Sequence, residues 1–158
     1  MCFPVRKIVS GGQTGVDRAA LDAAKVLKLA RGGWCPKGRR AEDGRIADDY
    51  PLQETTTEDY AERTELNVRD SDGTLILTVG PPIGGTAYTV ECARKLRKPY
   101  RVVDLAHPLD FDQTRRWVAE ERLAVLNVAG PRQSQSADGY ARAYQFLLGL
   151  FSRKSLDD

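Results

Sequence analysis

Ile8-Val9-Ser10-Gly11-Gly12-Gln13-Thr14-Gly15-Val16-Asp17-Arg18-Ala19-Ala20-Leu21-Asp22 is the stretch on which the reading of this chain turns. It continues a short apolar run from Val5 that reads as a strand, with a basic entry at Arg6 and Lys7. The glycines at 11, 12 and 15 break that run. Beyond them Val16, Ala20, Ala23, Ala24 and Leu27 recur at helical spacing on one face. Thr14 with Asp17 three residues later fits a capping box at the helix start. Strand, glycine loop and helix in this order make the opening unit of an α/β domain. In such a unit backbone N–H groups and the helix dipole face an anion.

The unit recurs further along. Thr74-Leu75-Ile76-Leu77-Thr78-Val79 has the continuous apolar centre of a strand covered on both faces. Gly80-Pro81-Pro82-Ile83-Gly84-Gly85 ends it, and a helix follows from Thr86 to about Arg97. Between the two units lie a short strand at Arg31 to Trp34, a long irregular segment from Cys35 to Glu54, and a weakly amphipathic helix from Glu58 to Arg69. After the second unit come a strand at Tyr100 to Leu105, a helix at Asp112 to Arg122 and a strand at Ala124 to Val128. The last helix, capped by Ser136, carries the apolar stripe Tyr140, Ala143, Tyr144, Leu147, Leu148 and Phe151. Residues 153–158 read as a frayed tail. Five alternations predict a doubly wound, Rossmann-like parallel sheet of about five strands in the order 2-1-3-4-5, with helices on both faces. The whole of 1–158 reads as one domain.

Composition narrows the function. A net charge of +2 does not point to nucleic acid or to an anionic membrane as partner. No apolar run is long enough to span a bilayer, and no signal peptide is visible. Cys2, Cys35 and Cys92 fit neither a zinc site nor a redox pair, so they read as reduced thiols in a cytoplasmic protein with no structural metal. His107 is the single histidine, which excludes mechanisms that need several.

In the predicted order the two glycine loops meet at one carboxyl edge, where open α/β sheets bind ligands. Gly11, Gly12, Gln13, Thr14 and Gly15 form one wall of the expected phosphate site; Gly84, Gly85, Thr86 and Thr89 form the other. Arg18 either pairs with Asp17 or reaches the anion. Glu91 is either solvent-exposed or a hydrogen-bonding or acid–base group. Lys37, Arg39 and Arg40 are either a solvated charge run or, if the long segment folds over the cleft, cationic contacts to the ligand. Cys35 reads as core, and His107 as either loop or site.

The opening motif resembles the signature of the molybdenum-cofactor carrier proteins, in the YpsA-like branch of the SLOG nucleotide-binding superfamily. Gly33 through Gly44, Thr55 through Asn67, Gly84 through Thr89 and Asn127 through Pro131 extend the similarity over about residues 5–150. The resemblance implies a Rossmann-like homo-oligomer, dimer or tetramer, that binds the molybdenum cofactor (molybdopterin, a phosphorylated pterin with a dithiolene-bound metal) without transforming it. The superfamily also contains the Lonely Guy phosphoribohydrolases, whose Pro-Gly-Gly-x-Gly-Thr-x-x-Glu motif is matched by Gly84, Gly85 and Glu91. Ile83, Ala87 and Tyr88 depart from that motif. A nucleoside-monophosphate hydrolase using Glu91, or a sensor of a nucleotide-like ligand, is the alternative.

Overall fold

The computed structural model describes residues 3–152; Cys2 and the predicted frayed tail lie outside them. In chain order the elements are β1 (Lys7–Val9), α1 (Val16–Val26), β2 (Ala30–Gly32), β3 (Trp34–Cys35), β4 (Arg40–Ala41), β5 (Gly44–Arg45) and β6 (Gln53–Glu54). They continue with α2 (Tyr60–Arg69), β7 (Gly73–Thr78), α3 (Gly84–Lys95), β8 (Tyr100–Asp104), α4 (Phe111–Glu120), β9 (Val125–Ala129) and α5 (Gly139–Leu150). The alternation and the two-sided sheet agree with expectation.

The strand order does not. The five-stranded parallel sheet runs β2-β1-β9-β7-β8, so the last strand lies between the two that carry the glycine loops. Leu126, Asn127 and Val128 are buried, and the Asn127 amide donates to Thr74 Oγ1 on β7 at 3.2 Å. A strand with such a centre needs neighbours on both sides. β8 carries Arg101 and Asp104 on either side of two valines and leaves Val102 exposed, as an edge tolerates.

One face of the sheet holds the main core. Ile8, Leu75, Leu77, Leu126 and Val128 pack there against the alanine stripe of α1, Val118 of α4, and Ala143, Phe146, Leu147 and Leu150 of α5. α2 and α3 cover the other face, with Val68, Cys92 and Ala93 as a smaller cluster. The long segment from Cys35 is not structureless. β3 pairs with β6, β4 pairs with β5, and Cys35, Ala41 and Ile46 form a third cluster.

Several helix ends differ from the sequence reading. Gly15, not Thr14, occupies the α1 cap position, and no side chain caps it. Asp138, not Ser136, precedes α5. Lys28, Arg97 and Arg122 follow α1, α3 and α4 with φ of 60°, 54° and 55°. In each case the next residue's N–H reaches back to a helical carbonyl: Leu29 to Ala24, Lys98 to Ala93, Leu123 to Val118. This is the Schellman pattern, with a cation where glycine is usual. The charge suits the helix dipole, while the left-handed backbone opposes it.

Among the described residues no helix is long and apolar enough to cross a membrane, and no group of His, Cys, Asp and Glu side chains could hold a metal ion.

Candidate functional site

The carboxyl edge of the sheet opens into a cleft of about 330 Å³. The chain leaves β9 toward the α1 and α5 face and leaves β7 toward the α2 and α3 face, so the crevice opens where the two paths diverge. Gly11, Gln13 and Asp17 line it from the first glycine loop, and Gly84, Gly85, Thr86, Tyr88 and Thr89 from the second. Asn127 through Gly130, Arg132 and Gln135 line it from the inserted strand, and Tyr60, Arg63, Thr64 and Asn67 from α2. The two loops therefore share one cleft, as expected, but across β9 rather than side by side.

The first loop is closed by the protein itself. The Gln13 N–H donates to the Asp17 carboxylate at 3.2 Å, the Thr14 N–H to Gln13 Oε1 at 3.0 Å, and the Val16 N–H to the Pro131 carbonyl. Three of the amides expected to face a ligand are thus spent within the fold. Its glycines serve packing. A side chain at Gly11 would strike Arg63 Nη1 at 2.5 Å, and one at Gly15, where φ is 80°, would strike the Pro131 carbonyl at 2.4 Å. Gly12 faces Leu52 and Ile46 of the long segment, not the cleft. Arg63 threads over Gly11, donates to its carbonyl at 3.1 Å and lies 3.6 Å from Asp17. Burial pushes the Asp17 carboxyl up to about 6, against the opposing pull of Arg63 and of the Gln13 amide.

The second loop is open. Ile83 precedes α3 and supplies no side-chain cap. A side chain built on Gly85 would meet nothing within 4 Å. The Thr86 and Ala87 N–H groups donate to the Ile83 carbonyl at 3.1 and 3.3 Å, which leaves the Gly84 and Gly85 amides as the ones an uncapped helix start can offer an anion. Thr89 donates its hydroxyl to the Gly85 carbonyl at 3.0 Å. Across the cleft stands Arg132. Its Nε is buried without a hydrogen-bond partner, and its nearest carboxylate is Glu42, at 3.4 Å. Glu42 is itself the hub of the loops behind the cleft. It accepts from Thr14 Oγ1, from the Ser134 N–H at 3.0 Å and from Ser134 Oγ at 2.6 Å. Burial alone would raise its pKa, but these hydrogen bonds hold it below the usual carboxylate range.

The remaining predicted residues lie elsewhere. Arg18 forks onto Asp43 at 2.5 and 2.8 Å and donates to the Gly12 carbonyl, on the far side of the loop from the cleft. Thr14 is buried between Glu42 and the Gln133 N–H. Arg39 is buried and gives its guanidinium to the carbonyls of Ile46, Ala47, Tyr50 and Leu52, so it organises the long segment from inside. Arg40 donates to the Glu58 carbonyl and stacks on Tyr60, one layer behind the cleft wall. Lys37 is exposed. No residue of 35–54 lines the cleft, so the segment packs behind the first loop instead of covering the site. Glu91 is exposed, pairs with Lys95 at 3.4 Å and does not line the cleft. His107 is exposed beside Asp104, and Cys35 is core.

Arg63 and Arg132 are cleft cations that motif reading passed over. Arg63 sits in a weakly amphipathic helix, and Arg132 in a polar loop that gives no local signal. Asp17 is the one carboxylate among the lining residues, which include no His, Cys or Lys. The arrangement offers anion-binding donors at one end and a buried acceptor at the other.

Such a parallel sheet with a cleft at its carboxyl edge defines a Rossmann-like α/β protein. The model of the circularly permutated YpsA SLOG family matches residues 8–151, and the chain belongs to that family. Among solved structures, a protein from Syntrophus aciditrophicus SB named "Putative molybdenum carrier protein" is 43% identical. The match covers 94% of this chain and 96% of that one, with a TM-score of 0.92. No curated protein matches the chain.

Proposed function

We propose that this protein binds the molybdenum cofactor in the cleft between the two glycine loops and carries it unchanged. The observation that carries the reading is that the uncapped α3 N-terminus at Gly84 and Gly85 shares the cleft with Arg132, whose buried Nε makes no hydrogen bond and meets only the Glu42 carboxylate at 3.4 Å. Both groups favour a phosphate, and each charge-assisted bond contributes roughly 1.5 to 3 kcal/mol. The pterin then extends toward Asn127 and Asp17. The cleft volume falls within the range typical of small-molecule sites. The name of the solved neighbour, "Putative molybdenum carrier protein", supports a molybdenum-containing cargo. Binding without turnover is favoured over nucleotide hydrolysis because Glu91, the acid that the hydrolase alternative requires, lies on an exposed helix face outside the cleft. The reading includes a cytoplasmic homo-oligomer, dimer or tetramer, with a phosphorylated small molecule as partner.

Native mass spectrometry after expression in cells that make molybdenum cofactor tests this. A bound species containing molybdenum and pterin is expected, together with the subunit count. Protein recovered free of pterin and molybdenum from such cells would overturn the proposal.

A further inference from the structure

Arg132 has two candidate partners and belongs fully to neither. It lines the cleft, yet among the described residues the only carboxylate that pairs with its Nε is Glu42, on the β4–β5 hairpin behind the cleft. The 3.4 Å approach brings the two charges together without a hydrogen bond at Nε. Glu42 has no need of Arg132 for its own hydrogen bonding, since Thr14 Oγ1, Ser134 N–H and Ser134 Oγ already occupy its oxygens. The same bonds fix where the carboxylate stands, because Ser134 lies two residues from Arg132 in the same loop. The arrangement therefore holds a negative charge beside Arg132, one of the cleft's two cations, at fixed distance. The Arg132 side chain is 41% exposed and that of Glu42 21%, so solvent screens the pair only in part.

We propose that Glu42 is a built-in competitor for Arg132, which lowers the cleft's affinity for a phosphate-bearing ligand so that the ligand can leave. This rests on the phosphate end of the ligand lying between Arg132 and the start of α3. A group that only positioned Arg132 would raise affinity; a competing charge lowers it, so the two roles predict opposite signs. The long segment thus contributes an acid that tempers binding, where the sequence pointed to cations that strengthen it.

The test is calorimetric titration with inorganic phosphate and with guanosine monophosphate, comparing wild type with Glu42→Gln. Glutamine keeps an acceptor oxygen for Thr14 and the Ser134 N–H, and its amide can donate to Ser134 Oγ, so the loops stay tied; urea denaturation verifies this. E42Q should bind both probes about 3- to 10-fold more tightly at low ionic strength. The gain should shrink below about 2-fold in molar salt. It should also fall below about 2-fold in an Arg132→Gln background, which separates a pairwise effect from a diffuse change in charge. Unchanged or weaker binding by folded E42Q, with measurable wild-type binding, overturns this inference alone. A wild type that binds neither probe overturns the phosphate site and this inference together.

Discussion

Asp17→Asn is the perturbation that reads the buried end of the cleft most directly. The Asp17 carboxyl is raised from 3.8 to about 6, chiefly by burial. A group whose folded pKa lies above its unfolded value stabilises the fold below the unfolded pKa and loses that contribution as pH rises through the folded one. A rise of this size corresponds to about 3 kcal/mol of stability lost by the wild type across that window, since each tenfold change in proton affinity is worth about 1.4 kcal/mol. Asparagine does not titrate. The attraction of Arg63 acts only on the ionised carboxyl and is already contained in its folded pKa, so the variant's remaining differences add an offset that does not depend on pH in this range. The carboxylates whose pKa values are held low, such as Asp43 and Asp104, are present in both proteins and cancel in the difference. Urea denaturation of both proteins from about pH 4 to about pH 8 should therefore show the stability of D17N gaining on wild type by about 2 to 3 kcal/mol. Most of the gain should fall between about pH 4 and pH 6. A flat difference, or one that moves the other way, would refute the assignment of a desolvated carboxyl to this position.

Three further outcomes follow from the geometry. Gly85→Trp should abolish phosphate binding by filling the open space before α3, with a change in stability below about 1 kcal/mol, as calorimetry and denaturation will show. Arg39→Ala should cost about 3 kcal/mol or more, because four backbone carbonyls lose a buried partner, yet folded protein at low temperature should keep wild-type phosphate affinity. Lys28→Gly, Arg97→Gly and Arg122→Gly should each stabilise by roughly 0.5 to 1 kcal/mol in urea, since each removes a side chain from a left-handed position; a loss instead would mean that charge at the helix end outweighs backbone strain.

The alternation of strands and helices was legible because apolar runs and glycine breaks are local signals. The order of the strands was not, because nothing local in Ala124 to Val128 says which neighbours will cover it. Asn127 inside an otherwise apolar strand was the available hint, as a polar group there requires a partner on an adjacent strand. The site was half legible for a related reason. Glycines announce a special backbone, but whether they admit a ligand or another part of the protein depends on what folds against them. At Gly85 the space is open; at Gly11 and Gly15 Arg63 and Pro131 fill it. The basic run at 37–40 was ambiguous for the same cause: Arg39 turned inward to carbonyls of its own segment, and the cleft took its cations from Arg63 and Arg132.

The central position of β9 also governs how the chain acquires its shape as it is made. β1 pairs with β2, and β7 with β8, but no ladder joins these two halves until residues 125–129 enter between them. A nascent chain that has emerged only through α4 therefore carries two half-sheets, each with an open inner edge able to pair wrongly. The keystone is among the last elements to be synthesised, and it brings Asn127, Gly130 and Arg132 with it. A product truncated before Val125 lacks both the join and that wall of the cleft, so it presents only a fragment of the candidate site.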